Sequence, residues 1–363
     1  MSGPILEARS LSIGYRARSG GQERLVAAGL DFALSRGDFV CLLGANGAGK
    51  TTLLKTVAGM QPPLSGECRI EGKPVSRLGL EERAGLVALV LTEQPGGGWF
   101  SAYEIAAFGR YPYTDSRGRL SAEDRKAVLD ALAAVGMEGF AARPFAELSD
   151  GEKRKILVAR ALAQDTPLLI LDEPTVFLDA PSRLELFYLA RRLAREAGKA
   201  VVLSTHDVEL ALARADRLWL LGRGGSFAEG LPEELALSGK LGEALSTEAV
   251  RYDAESGGFR PAGASPQPAI ALVLETAAAP HGEAAAEDHA LALWARRLVS
   301  RLGYRPAGPG AKAALRLRLF PAAVPGAEPR WRLDREGAEP REGSGLAALA
   351  RALEAGLETA RRN

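Results

Sequence analysis

Apolar residues group into short dense runs separated by polar turns, and the spacing inside those runs changes twice along the chain. Residues 5–43 hold three runs, ILEARSLSIGY, LDFAL and DFVCLLG. The third is continuously apolar from Phe39 to Leu43 and stops at Gly44, the pattern of a strand buried on both faces. A helix is predicted from Lys50 to a glycine stop at Gly59. ECRIEGKPV reads as a hairpin arm and LVALVL, 86–91, as another buried strand. Between 101 and 163 the period lengthens to that of helices, in SAYEIAAFGR, SAEDRKAVLDALAAVG and SDGEKRKILVARALA. Strand patterns return at PLLILDE and KAVVLSTHD, with a helix over 181–197 between them, and RLWLLGRGG is expected to close the sheet. Such alternation around a helical insert predicts an α/β core with a mainly parallel sheet.

The pattern breaks near 254–268, where AESGGFRPAGASPQP has the composition of a linker. Beyond it the periods predict strand (AIALVLE), helix (AEDHALALWARRLVSRLG), two strands (AALRLRLF, RWRLDREG) and helix (GLAALARALEAGLETARR), a small α+β domain. The expected division is therefore 1–255, with a helical subdomain over about 95–165, a linker at 256–268, and a second domain at 269–363.

Composition narrows the class only a little. Of 363 residues, 47% are apolar and 25% charged, as in an ordinary globular protein, and a net charge of +1 gives no reason to expect nucleic acid as a partner. Cys41 and Cys68 lie in strand-like runs and are expected to be buried thiols in a reducing compartment. MSGPILEARS lacks the basic and apolar regions of a secretory signal. No apolar run approaches the roughly 18 residues of a membrane span, so any service to a membrane would be as a peripheral subunit.

Candidate chemistry begins at GANGAGKT, with Gly44, Gly49, Lys50 and Thr51 at the spacing of a phosphate-binding loop. Its glycines free the backbone so that amides from Gly44, Ala45, Asn46, Gly47, Ala48 and Gly49 to Lys50, Thr51 and Thr52 can point into one concavity. The predicted helix adds positive charge at its N-terminus. Lys50 would reach the β- and γ-phosphates of ATP and Thr51 would ligate Mg²⁺. In LLILDEPT, Asp172 ends a buried strand as a second Mg²⁺ anchor, and Glu173 follows as the group to polarise water. His206 ends another apolar strand. Alone it would be a structural histidine; at a strand edge shared with two nucleotide motifs it reads as a γ-phosphate contact.

LSDGEKRKILVARAL resembles the signature segment of ATP-binding cassette (ABC) ATPases, which usually reads LSGGQ before a basic helix. It stands shortly before LLILDEPT, as in that family. VFLD, with Phe177, Leu178 and Asp179, follows in the place of the family's D-loop, and His206 in that of its switch histidine. The resemblance covers about residues 5–255 and implies the P-loop ABC fold: a mainly parallel core sheet, an antiparallel β subdomain and a helical subdomain. It implies that Tyr15 stacks on adenine, and that Ser149 and Gly151 bind in trans the nucleotide held by a second cassette. A homodimer, or a pair with a related cassette, follows from one cassette per chain. Ser149 and Glu152 also have capping-box spacing, so a helix should start there.

Two positions depart from the family pattern. Asp150 stands where the signature usually has its first glycine. The family's Q-loop glutamine would fall on Thr92 by the spacing from FGRYP, whereas Gln94 comes two residues later, so Glu93 or Gln94 is the candidate for that Mg²⁺ role.

AAFGRYPYTDSRGRLSAED and HDVELALARADRLWLL are similar to segments of the cassettes that serve iron–siderophore, haem and cobalamin importers. That likeness implies an ATPase at the cytoplasmic face of the membrane, docked on a transmembrane permease supplied by an extracytoplasmic substrate-binding protein. Cassettes for zinc, manganese or amino acids are the alternative, followed by a non-transport ABC ATPase. In the second domain, His281 and His289 lack partners at ligand spacing, and Trp294, Leu298 and Leu302 fit a helix core. A regulatory or dimer-contact role is expected for it.

Overall fold

The computed structural model describes residues 3–16, 23–92, 98–253, 257–262, 268–275, 283–308, 310–322 and 327–362. The chain divides into two compact units, Met1–Ala262 and Gly263–Asn363.

In the first unit, β1 (Leu6–Tyr15), β2 (Arg24–Leu34), β3 (Phe39–Gly44) and α1 (Lys50–Val57) are followed by β4 (Ser65–Ile70), β5 (Lys73–Pro74), α2 (Leu80–Leu86) and β6 (Val87–Val90). Then come α3 (Ala102–Ala107), α4 (Ala122–Ala134), α5 (Asp150–Ala163), β7 (Leu168–Asp172), α6 (Ala180–Arg195), β8 (Ala200–Ser204), α7 (Val208–Arg214), β9 (Arg217–Leu221) and β10 (Phe227–Gly230). The helices α8 (Pro232–Leu237) and α9 (Lys240–Leu245) and the hairpin β11 (Val250–Asp253) and β12 (Gly258–Pro261) complete it.

The core sheet runs β10-β9-β3-β8-β7-β6, parallel except for β10, and a separate antiparallel sheet runs β2-β1-β4-β5. Every residue of β3, β7 and β8 is buried. Their side chains alternate between two cores. Phe39, Cys41, Leu43, Leu169, Leu171, Val201 and Leu203 face one layer, with Ile156 and Phe187. Val40, Leu42, Leu168, Ile170 and Val202 face the other, with Leu53 of α1 and Trp219. Both cysteines are buried and free; burial and the nearby Glu67 push the Cys68 thiol up to about 12.

The three main helices of the insert are each started by a serine whose hydroxyl and backbone exchange hydrogen bonds with an acidic residue three positions on: Ser101 with Glu104, Ser121 with Asp124, Ser149 with Glu152. Asp124, 4% exposed, also accepts Arg110 Nε at 2.8 Å and so ties the start of α4 to the segment after α3.

In the second unit, β13 (Ala269–Leu274), α10 (Glu283–Arg301), β14 (Arg305–Ala307), β15 (Leu315–Phe320), β16 (Arg330–Arg335), β17 (Arg341–Ser344) and α11 (Leu346–Arg362) form a sheet of order β14-β13-β15-β16-β17 with two helices. Ile270, Leu317, Leu319, Trp331 and Leu333 pack against Leu298, Val299 and Leu349. Trp294, expected in that core, is half exposed with Arg297 over its ring.

Several expectations need correction. β9 does not close the core sheet; antiparallel β10 does. Gly258–Pro261, inside the stretch that reads as a linker, pairs with β11. The short edge strands β14 and β17 are absent from the sequence reading, because three or four residues with Pro306 or Gly343 carry no period.

Candidate functional site

Because β3, β7 and β8 are parallel neighbours, Gly44, Asp172 and Ser204 end on one edge of the sheet. The loop 44–49 returns there to start α1. Gly49 has φ 105°, and a Cβ on it would stand 2.1 Å from Val26 Cγ1, so only glycine lets the chain turn in this place. Lys50, 5% exposed, donates from Nζ to the Gly44 carbonyl at 2.9 Å and lies 3.6 Å from Glu173 Oε1. Burial pulls its ammonium below the usual lysine range, and the carboxylates of Glu173 and Asp172 oppose that shift.

Asp172 is wholly buried, and hydroxyls surround its carboxylate. Oδ2 accepts Thr51 Oγ1 at 2.7 Å and Thr92 Oγ1 at 3.2 Å; Oδ1 accepts Ser204 Oγ at 2.7 Å. Thr92, at the counted Q-loop position, thus touches the same oxygen as Thr51. Glu93 and Gln94 lie outside the described residues. These hard oxygen donors suit Mg²⁺, which takes one or two protein oxygens and completes its shell with phosphates and water. No cluster of three or more His, Cys, Asp or Glu exists among the described residues to hold a metal without a phosphate.

Glu173 adopts φ 49°, a left-handed backbone that costs a residue with a side chain roughly 1–2 kcal/mol. Both its backbone groups are held. Its N–H donates to Ser204 Oγ at 2.9 Å, and its carbonyl accepts Arg154 Nη2 at 2.7 Å. Its side-chain Oε1 meets His206 Nε2 at 2.6 Å. The same His206 nitrogen lies 3.3 Å from Lys50 Nζ. A ring nitrogen that donates to a carboxylate cannot accept from an ammonium, so the shorter contact assigns Nε2–H to Glu173. Beside this pair opens a cavity of about 430 Å³ walled by Thr175, Arg183, Asp207 and Phe259. A larger one, about 700 Å³, lies along α6 near Leu186, Leu189 and Arg192, and none of Lys50, Thr51, Asp172, Glu173 and His206 lines it.

Tyr15, half exposed at the end of β1, bonds through its hydroxyl to Thr52 Oγ1 at 3.0 Å. Ser149 is the N-cap of α5. Asp150, in the first turn, is exposed and within 4.0 Å of Lys153 Nζ, so it pairs along its own helix. A Cβ on Gly151 would come within 3.0 Å of the Phe177 carbonyl, so glycine lets this turn press on the 176–179 loop. Asp179 caps α6, accepting Ser182 N–H at 3.0 Å. None of these four residues contacts Lys50; α5 is joined to the end of β7 by Arg154, which donates to the Asp172 and Glu173 carbonyls.

Arg154 and Ser204 escaped the sequence reading. Arg154 sits in the run KRK between Lys153 and Lys155, but its helical neighbours at four and seven positions on, Val158 and Ala161, are apolar and buried. That phase is the signal that sets it apart.

Residues 27–176 match the family described as ABC transporter. An ABC transporter ATP-binding protein of Methanocaldococcus jannaschii, itself uncharacterised, is 39% identical over 255 residues, 70% of this chain and 86% of that protein. This chain belongs to the ABC transporter ATP-binding family. A hemin import ATP-binding protein of Streptomyces coelicolor is 42% identical to this cassette over 231 residues (63% of this chain, 80% of that protein). A cassette solved after hydrolysis as a dimer with ADP and phosphate is similar at 26% identity and TM-score 0.57, covering 63% of this chain and 99% of its own. The first unit is thus an ABC ATPase cassette with the P-loop fold. No helix among the described residues is long and apolar enough to cross a membrane.

Proposed function

We propose that this chain is the ATP-hydrolysing subunit of an importer for an iron chelate or haem. The observation that carries the hydrolytic part is the convergence of Lys50, Thr51, Asp172, Glu173 and His206 on one sheet edge. The loop amides of 44–49, with Lys50, Thr51 and Thr52, cradle the phosphates of ATP while Tyr15 lies against the base. Thr51 and Asp172 would hold Mg²⁺, with Gln94 as a further candidate ligand, and a bound ion would supply positive charge to offset that of the phosphates. Glu173 takes the proton of the attacking water, and His206 orients Glu173 and contacts the γ-phosphate. Ser149 and Gly151, at the tip of α5, bind the γ-phosphate held by a second copy, with Asp179 in the loop between the two sites. ATP binding closes this dimer and hydrolysis reopens it.

The import direction and cargo class rest on likeness to relatives named for hemin and for iron(3+)-hydroxamate import. In this reading the cassette works at the cytoplasmic face of the membrane against a permease served by an external binding protein. The exposed Trp99, Phe108 and Tyr111 of the helical insert offer the permease a surface. Gly263–Asn363 acts as a regulatory or dimer-contact domain.

The test is uptake by the host. Lys50→Ala should abolish ATP-dependent uptake of labelled haem or ferric siderophore and leave zinc, manganese and amino-acid uptake intact. Loss of one of the latter instead would reassign the cargo.

A further inference from the structure

The least exposed arginine among the described residues of the cassette has no part in the chemistry above, although it touches the residues that do. Arg154, 1% exposed, extends from the fifth residue of α5 and binds the carbonyls of two neighbouring strand ends. Nη1 donates to Leu91 O at 2.6 Å and reaches Thr92 O at 3.5 Å. Nη2 donates to Asp172 O at 2.6 Å and Glu173 O at 2.7 Å. Nε has no hydrogen-bond partner among the described residues. A buried guanidinium with an unsatisfied nitrogen is a poor device for stability alone. Its planar fork, in contrast, suits the bridging of several acceptors at fixed spacing.

We infer that Arg154 is a positioning residue for hydrolysis: it holds the left-handed Glu173 backbone in place and locks the base to the helix whose first turn carries Ser149 and Gly151.

The argument runs through Glu173. Its backbone stands at φ 49°, where a residue with a side chain does not rest unaided. Ser204 secures the amide and Arg154 the carbonyl, so loss of either lets the peptide relax and swings the carboxylate away from His206. The other arm of the fork holds the chain at Leu91 and Thr92, and Thr92 Oγ1 in turn bonds Asp172. One side chain therefore fixes the base, the carboxylate of Asp172 and the root of the segment after β6 relative to α5. In the dimer read above, α5 serves the nucleotide of one site and Glu173 that of the other. Arg154 makes them one rigid piece.

This inference rests on the ATPase reading, and the full-length chain with MgATP separates the two. Hydrolysis by the unaltered protein is measured first; its absence would sink the reading itself. Given hydrolysis, Arg154→Ala should lower kcat about 10- to 100-fold, as a misplacement near 1 Å does, with KM for ATP nearly constant. Arg154→Lys, which keeps the charge but not the fork, should recover part of that loss, and Arg154→Gln should recover none. Amide hydrogen exchange should quicken at 91–92 and 172–176 in Arg154→Ala and Arg154→Gln and stay unchanged in β3. Val158→Ala, on the same buried face of α5, should lower the melting temperature and keep kcat. If Arg154→Ala does not fold, the Lys and Gln variants decide. Unchanged kcat in them, or a fall in kcat that merely tracks melting temperature as Val158→Ala sets it, would overturn the assignment.

Discussion

His206 Nε2 and Glu173 Oε1 stand 2.6 Å apart, across the ends of the paired strands β8 and β7. Two loops that meet only in the folded sheet thus supply one hydrogen-bonded pair. If Glu173 is the base and His206 its orienter, the two act as a unit and their losses do not add. Glu173→Gln is expected to slow turnover by about 10²–10⁴-fold while ATP binding persists. His206→Ala should slow it less, and the double variant should be no slower than Glu173→Gln. Steady-state ATPase rates of the four proteins check this; additive losses would show independent roles.

Gly151 leaves no room for a methyl group against the Phe177 carbonyl, 3.0 Å from where its Cβ would lie. Gly151→Ala must push the 176–179 loop by a few tenths of an ångström, and overpacking of this kind costs about 1–3 kcal/mol. In a Glu173→Gln background the ATP-dependent dimer should weaken by about tenfold or more. Size-exclusion chromatography over a range of protein concentrations reads that shift. An unchanged dimer would remove this turn from the contact between copies.

The Asp124 carboxyl is held below the usual carboxylate range, first by the Ser121 N–H and hydroxyl and then by the Arg110 guanidinium. Its folded pKa is below its unfolded one, so the unfolded chain binds more protons at acid pH. The stability it contributes is present above the ordinary aspartate pKa near 3.9 and is lost as pH falls through the lower folded value. Asp124→Asn should cost roughly 1–3 kcal/mol at pH 7. Between pH 5 and pH 3 its urea midpoint should change less than that of the parent. A steeper change would place the pH dependence in other groups.

What the sequence made legible was contiguous. The loop that carries Lys50 is written in eight consecutive residues, flanked by an apolar run and a helical period, and β3 and α1 follow from that context. Asp172 and Glu173 were legible because β7 is apolar until it ends in acid. The capping box at Ser149 is a spacing rule and appears as such. The opaque parts were those made through space. Ser204 reads as one more small residue at a strand end, yet its hydroxyl joins Asp172 to the Glu173 amide. Arg154 hides in a basic run, and its four carbonyl partners come from two strands distant in sequence. Phe259 sits in a stretch whose Gly and Pro content reads as linker, yet it lines the cavity beside Glu173.

The sheet of Gly263–Asn363 is bounded by strands of three and four residues, Arg305–Ala307 and Arg341–Ser344, and the first holds a proline. Margins so brief give a stray β-segment almost nothing to zip onto. If, as proposed, two copies close on ATP and part after hydrolysis, an extra module with such short borders adds little risk of knitting neighbours into fibres.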